Sequence, residues 1–227
     1  MARQADHNER RKVFAAAALN VITSLGLEGL TVREVAREAG FTTGALTHYF
    51  ESKDQVLIAA SEHAAEQVRG QMDEVALEPS AREALRHLVY SALPINALKR
   101  GRWRFWVAFW ERAAYSPEVG RVMRERYREW THRITSLIRR AQQEGDAPAD
   151  LDAEHAGREL VALVDGIGVQ VLIGAGNFTA PAQRQYVDAL IDLRLGPAGA
   201  STAPARKPAA KTTATRSKVP RAPRPAR

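Results

Sequence analysis

The sequence predicts an all-α protein of about nine helices: an N-terminal three-helix helix-turn-helix unit followed by a larger helical C-terminal domain. Three observations carry this. Apolar residues recur at helical spacing along most of the chain, and no convincing strand or internal repeat interrupts them. Helix starts are written repeatedly, with Thr31 and Glu34, Ser52 and Gln55, and Ser80 and Glu83 each forming a capping-box pair, and Pro117 following Ser116. Between Thr31 and Lys53 the pattern reads helix, short glycine-containing turn, helix.

Taken in order, residues 1–6 are expected to be unstructured. A first helix over about 7–25 follows from Val13, Phe14, Ala17, Leu19, Val21 and Ile22. A second, over 32–39, has its apolar face in Val35, Ala36 and Ala39 and ends at Gly40, where a left-handed backbone costs little. Thr42 or Thr43 caps a third over 43–49. The fourth, from Lys53 to about Glu74, is long enough to leave this unit as a connector. Helices over about 81–98 (with Pro94 as a kink or early stop), through the aromatic segment 101–115, from Pro117 to about Glu144, from Asp152 to Gly174 and from Pro181 to Leu195 complete the set. The domain boundaries read 7–52, 53–195 and 196–227.

The net charge of +7 is a property of the end of the chain. Residues 196–227 hold eight basic side chains and no acidic one, leaving 25 basic and 26 acidic residues elsewhere. Six prolines and no apolar residue larger than alanine except Val219 mark 196–227 as a disordered basic tail. Its charges suit either solubilisation or weak phosphate attraction. No apolar run reaches the roughly 18 residues of a membrane span, and the N-terminus lacks the apolar core of a signal peptide. With no cysteine, disulfides and thiolate chemistry are excluded, which fits a cytoplasmic protein.

The second helix of the helix-turn-helix carries small and polar residues, which suit close approach to base edges. The run Leu30-Thr31-Val32-Arg33-Glu34-Val35-Ala36, then Ala39-Gly40-Phe41, Gly44-Ala45-Leu46, His48-Tyr49-Phe50 and Ser52-Lys53-Asp54, closely resembles the DNA-binding domain of TetR-family transcriptional regulators. The resemblance covers about residues 10–57. It implies phosphate contacts from Thr31, Thr42, Tyr49 and Lys53. It implies base-edge or thymine-methyl contacts from Arg33, Thr43, Ala45, Thr47 and His48. Thr47 departs from the tyrosine common in the family and resembles the BetI-type subgroup instead. The resemblance further implies a homodimer on a pseudo-palindromic operator, released by a small-molecule effector, with activation as the alternative to repression.

Six aromatics lie between Trp103 and Tyr115, and core packing accounts for most of them. Trp103, Trp106 and Trp110 share a helix face. The run WVAFWERAAYSPEVGRVM resembles the C-terminal domain of the BetI-type subgroup, whose named member responds to choline, and tryptophan faces attract quaternary ammonium groups. The resemblance leaves the effector's identity open, since the subgroup is chemically broad; a cationic amine is one candidate, with Trp106, Trp110 and Glu111 lining its site. The very apolar segment 160–173 suits helix–helix packing. By resemblance to the family, Leu160, Leu163, Val164, Ile167, Val171, Leu172 and Leu190 are assigned to the dimer interface.

The glycines of GIGVQVLIGAG do not make a dinucleotide fingerprint, since Val171 stands where the third glycine belongs and no strand precedes. The six histidines have no metal-ligand spacing, and neither a nucleophile elbow nor a Walker loop occurs. No cofactor, metal or enzymatic activity is expected. The rival readings are an architectural DNA-binding protein acting through the tail and an enzyme using the C-terminal pocket.

Overall fold

A computed structural model describes residues 2–76 and 78–197, with side chains over 7–67 and 78–197. Within them run α1 (Ala2–Leu25), α2 (Val32–Ala39), α3 (Thr43–Tyr49), α4 (Lys53–Ala76), α5 (Ala81–Ala92), α6 (Ala97–Tyr115), α7 (Pro117–Glu144), α8 (Ala153–Leu172) and α9 (Ala180–Leu195). The basic tail beyond residue 197 lies outside the described residues.

Local chemistry sets most of these boundaries. The side chains of Thr31, Thr42, Ser80, Asn96, Ser116, Asp152 and Thr179 each accept a backbone N–H in the first turn of the helix that follows. Gly40 closes α2 at φ 73°, a conformation a β-carbon would disfavour. Two expectations need correction. Helix α1 starts at Ala2 rather than near His7, because Ala2 to Ala5 contains no breaker and mostly good helix formers. Helix α5 stops at Ala92 rather than running to 98. Pro94 excludes the helical backbone from the residue before it, Leu93 is extended at φ −71°, ψ 141°, and Asn96 caps a fresh helix.

Two hydrophobic cores result. The first gathers Phe14, Ile22, Leu30, Val35, Leu46, Phe50 and Leu57, and it also takes in Phe105 and Phe109 of α6 and Val119 and Val122 of α7. The second holds Leu85, Leu93, Ile134, Ile138, Leu160, Val164, Ile167, Val187 and Ile191, together with Trp103 of α6. Helix α6 therefore belongs to both. Asp54, at the start of α4, ties the two further. It accepts from Arg112 Nε at 2.6 Å and Nη2 at 3.0 Å, and from Ser116 Oγ at 2.7 Å.

At the far end of the molecule Arg82 is 2% exposed. Its guanidinium donates to Asp146, to Asp192 and to the carbonyls of Asp146, Leu195 and Gly196. A buried cation with this many acceptors is fully compensated, and it fastens the end of α9 to the α7–α8 turn.

Candidate nucleic-acid interface and ligand cavity

Helix α3 is anchored by Leu46 (2% exposed), with Phe50 buried just beyond its end. That anchoring turns Thr43, Gly44, Thr47 and His48 to solvent as one face, with Ala45 half-buried against the core. Thr47 Oγ donates to the Gly44 carbonyl at 3.1 Å, so its hydroxyl proton is held by its own helix and a methyl and acceptor lone pairs remain. Thr31 and Thr42 sit exposed at the N-termini of α2 and α3, where their oxygens accept from Glu34 N and Ala45 N, each at 3.2 Å. Lys53 Nζ donates to the Leu27 carbonyl at 2.9 Å, which pins the α1–α2 turn and leaves two ammonium protons. Tyr49 is half-buried, its ring against His7 and Phe14, and its carbonyl accepts from Arg11. Arg33 is exposed. The nine residues assigned to DNA thus cluster on and around the α2–α3 unit.

A cavity of about 210 Å³ opens between α6 and α7, with α4, α5 and α8 contributing to its wall. All four tryptophans of the chain, Trp103, Trp106, Trp110 and Trp130, line it. Trp103 and Trp110 meet edge to face with centroids 5.6 Å apart, and Trp110 stacks on Tyr127 at 6.3 Å. Trp103 is locked by its Nε1 donating to the Ala92 carbonyl at 2.6 Å. Gly168 makes room for it, since a β-carbon there would come within 2.1 Å of the ring. Trp110 Nε1 is buried without a hydrogen-bond partner.

One carboxylate stands among these rings. Asp165 Oδ2 accepts from the Tyr127 hydroxyl at 2.7 Å. Burial pushes its carboxyl above the ordinary value, with the Tyr127 hydrogen bond opposing. Burial, then the hydrogen bond to Asp165, raises the Tyr127 phenol, which keeps it a donor. Lys99, Arg102, Arg126, Arg133 and Glu129 complete the polar lining.

The expected lining is corrected in part. Trp106 and Trp110 face the cavity, but Glu111 is exposed and outside its wall, because it sits one residue past Trp110 and so about 100° around the helix. The carboxylates that do line the cavity, Asp165 and Glu129, were missed, as were Tyr127 and Trp130. A signal for Asp165 was present, as the only charged residue between Leu160 and Ile173.

The expected interface residues divide as well. Leu160, Val164 and Ile167 are at most 2% exposed and lie in the protomer's own core, so they are not available to a second chain. Leu163, Val171, Leu172 and Leu190 are half-buried. The large apolar residues that α8, its C-cap and α9 leave exposed are instead Val169, Ile173, Tyr186 and Leu193. Among the described residues no helix is long and apolar enough to cross a membrane, and no cluster of three or more potential metal ligands occurs.

Comparison with known proteins agrees with this architecture. Residues 15–60 match the model of the bacterial regulatory proteins of the tetR family, and residues 81–196 match that of the BetI-type transcriptional repressor C-terminal domain. The chain is 28% identical over 190 residues to the HTH-type transcriptional regulator BetI of Burkholderia thailandensis, covering 83% of this chain and 94% of that protein. It is 27% identical over 175 residues to the regulator PksA of Bacillus subtilis, covering 76% and 83%. A transcriptional regulator from Saccharomonospora viridis, solved in complex with choline, superposes with a TM-score of 0.75 at 28% identity, covering 82% of this chain and 96% of that one. The chain belongs to the TetR family of DNA-binding transcriptional regulators and carries a C-terminal domain of the BetI type.

Proposed function

We propose that the protein is a homodimeric repressor that leaves a pseudo-palindromic operator when a small cationic amine enters the tryptophan-lined cavity. The carrying observation is the convergence of four tryptophans and one buried carboxylate on a cavity of about 210 Å³. A desolvated cation over a tryptophan face gains about 2 kcal/mol, and Asp165 supplies the opposite charge. The choline complex of the Saccharomonospora viridis regulator supports the same ligand class.

The path to DNA is short. Helix α6 forms one wall of the cavity and sends Phe105 and Phe109 into the core shared with α1, α3 and α4. A ligand that holds α6 and α7 in a changed spacing therefore acts on the seat of the reading head. Release requires the ligand to favour the DNA-incompetent arrangement, and coupling energies of about 1–3 kcal/mol correspond to roughly 5–150-fold.

For the second subunit, the supporting feature is an apolar stripe at helical spacing. It comprises Ala162, Gly166, Val169 and Ile173 along α8 and its C-cap, and Tyr186, Ala189, Leu190 and Leu193 on α9. A role on DNA supports a cytoplasmic location, and the tail is an auxiliary source of phosphate attraction.

The test uses DNA recovered by genome-wide mapping of bound sites, labelled for fluorescence anisotropy. Choline is expected to weaken binding at least about fivefold and to change tryptophan fluorescence, with both effects lost in Trp106→Ala. Operator binding and fluorescence that stay unmoved by millimolar choline and other alkylammonium ions would sink the proposal.

A further inference from the structure

The cavity is lined by more positive than negative charge. Four of its lining residues are basic (Lys99, Arg102, Arg126, Arg133) and two are acidic (Glu129, Asp165). Arg126 is matched by Glu129 at 3.4 Å. Lys99 and Arg102 have no carboxylate partner among the described residues. Lys99 Nζ donates only to the Tyr90 carbonyl, at 3.2 Å, and Arg102 forms no ion pair there. Burial, and then the charges of Arg102 and Arg184, push the Lys99 ammonium below its ordinary value, as expected of crowded cations lacking a counter-ion.

Along α6 the two cations without a carboxylate partner precede two of the tryptophans. On α6, Lys99 and Arg102 lie at the N-terminal end, and Trp106 and Trp110 follow at one-turn intervals. Tyr127 stacks on Trp110 and holds Asp165, so the carboxylate belongs to the aromatic end. Arg102 and Trp106 are one turn apart, or ~6 Å along the axis.

We infer that the effector is a zwitterion, with its ammonium group among Trp106, Trp110 and Asp165 and a carboxylate a few bonds away held by Arg102 and Lys99. This rests on the cation-binding reading above and adds the anionic half. The Arg102 fork matches a carboxylate in two parallel hydrogen bonds, and the remaining Lys99 protons add a third donor. Such a ligand neutralises both ends of the cavity, whereas a monocation leaves Arg102 and Lys99 uncompensated.

Calorimetric titration of the full-length protein separates the two readings. The probes are choline (cation alone), glycine betaine and γ-butyrobetaine (trimethylammonium carboxylates of two spacings), and butyrate (anion alone). At least one betaine is expected to bind about tenfold tighter than choline. Arg102→Gln is expected to erase that advantage while choline affinity holds or rises, because a repelling cation has been removed. Lys99→Gln should move the same ratio in the same direction, so a folding defect in one variant does not decide the outcome. If choline binds as tightly as every betaine and neither variant changes the ratio, the anionic half is wrong and the cation reading stands. If butyrate alone binds, or none of the probes does, both readings fall.

Discussion

Asp165 is the residue on which fold stability and ligand binding pull in opposite directions. Burial raises its pKa above the unfolded value of about 3.9. A carboxyl shifted this way supports the fold below the unfolded value, and that support is lost as pH rises through the folded value. At neutral pH, without ligand, it is a liability. Asp165→Asn keeps an acceptor for Tyr127 and removes the charge. The variant is expected to melt a few degrees above the wild type at pH 7, with the difference shrinking as pH falls through the folded pKa of Asp165. It should also bind choline about tenfold more weakly, because the trimethylammonium loses the opposite charge it faces. Melting curves over a pH series together with calorimetry check both signs, and a variant that melts lower and binds equally well would contradict them. The residue types needed for the cavity were partly legible, since a tryptophan repeat at helical spacing marks one wall. Asp165 and Tyr127 are 38 positions apart and on different helices, so no local pattern pairs them.

At the scale of elements, the corner between α6 and α7 is held to the start of α4 by Asp54, Arg112 and Ser116. The Arg112 hydrogen bond, ahead of the smaller contribution from Ser116, holds the Asp54 carboxyl below its ordinary value. That stabilisation is present above a pH of about 3.9 and lost as pH falls through the folded value, so the clasp is charged at neutral pH. Arg112 is 44% exposed, and solvent screening keeps the pair's contribution to stability small. Its larger effect is on transmission. Arg112→Ala is expected to bind choline within twofold of wild type, while the choline-induced loss of operator affinity shrinks several-fold. An unchanged anisotropy response would show that the cores alone carry the signal. The helix starts were read correctly from hydroxyl residues, but only half of each capping box forms. Glu34 and Glu83 turn to Arg37 and Arg86, and Gln55 accepts from Glu51 N rather than Ser52 N. An arginine one turn onward competes with the capping position, and a pair pattern that omits it misassigns the carboxylate.

For the whole molecule, the exposed stripe on α8 and α9 sets the expected assembly. Ile173 is 71% and Leu193 74% exposed, so charges at both sites are compatible with the protomer fold. The double variant Ile173→Asp, Leu193→Asp is expected to sediment as a monomer and to lose about 10²–10⁴-fold in operator affinity, because two untethered heads no longer share an effective concentration. A double variant that remains dimeric would move the interface elsewhere.

The sequence by itself determined the helical class, the helix-turn-helix and the aromatic wall, because helical period, caps and breakers act within a few residues of one another. Only the tertiary structure decided which side of each helix is inside. Helix α8 is apolar around most of its circumference, so its period does not distinguish Leu160, Val164 and Ile167, which close the protomer core, from Val169 and Ile173, which remain exposed. Glu111 follows Trp110 in the chain and points away from the cavity, while Asp165, far off in sequence, completes it. Side-chain direction is fixed by the elements packed on either side, and those come from distant parts of the chain.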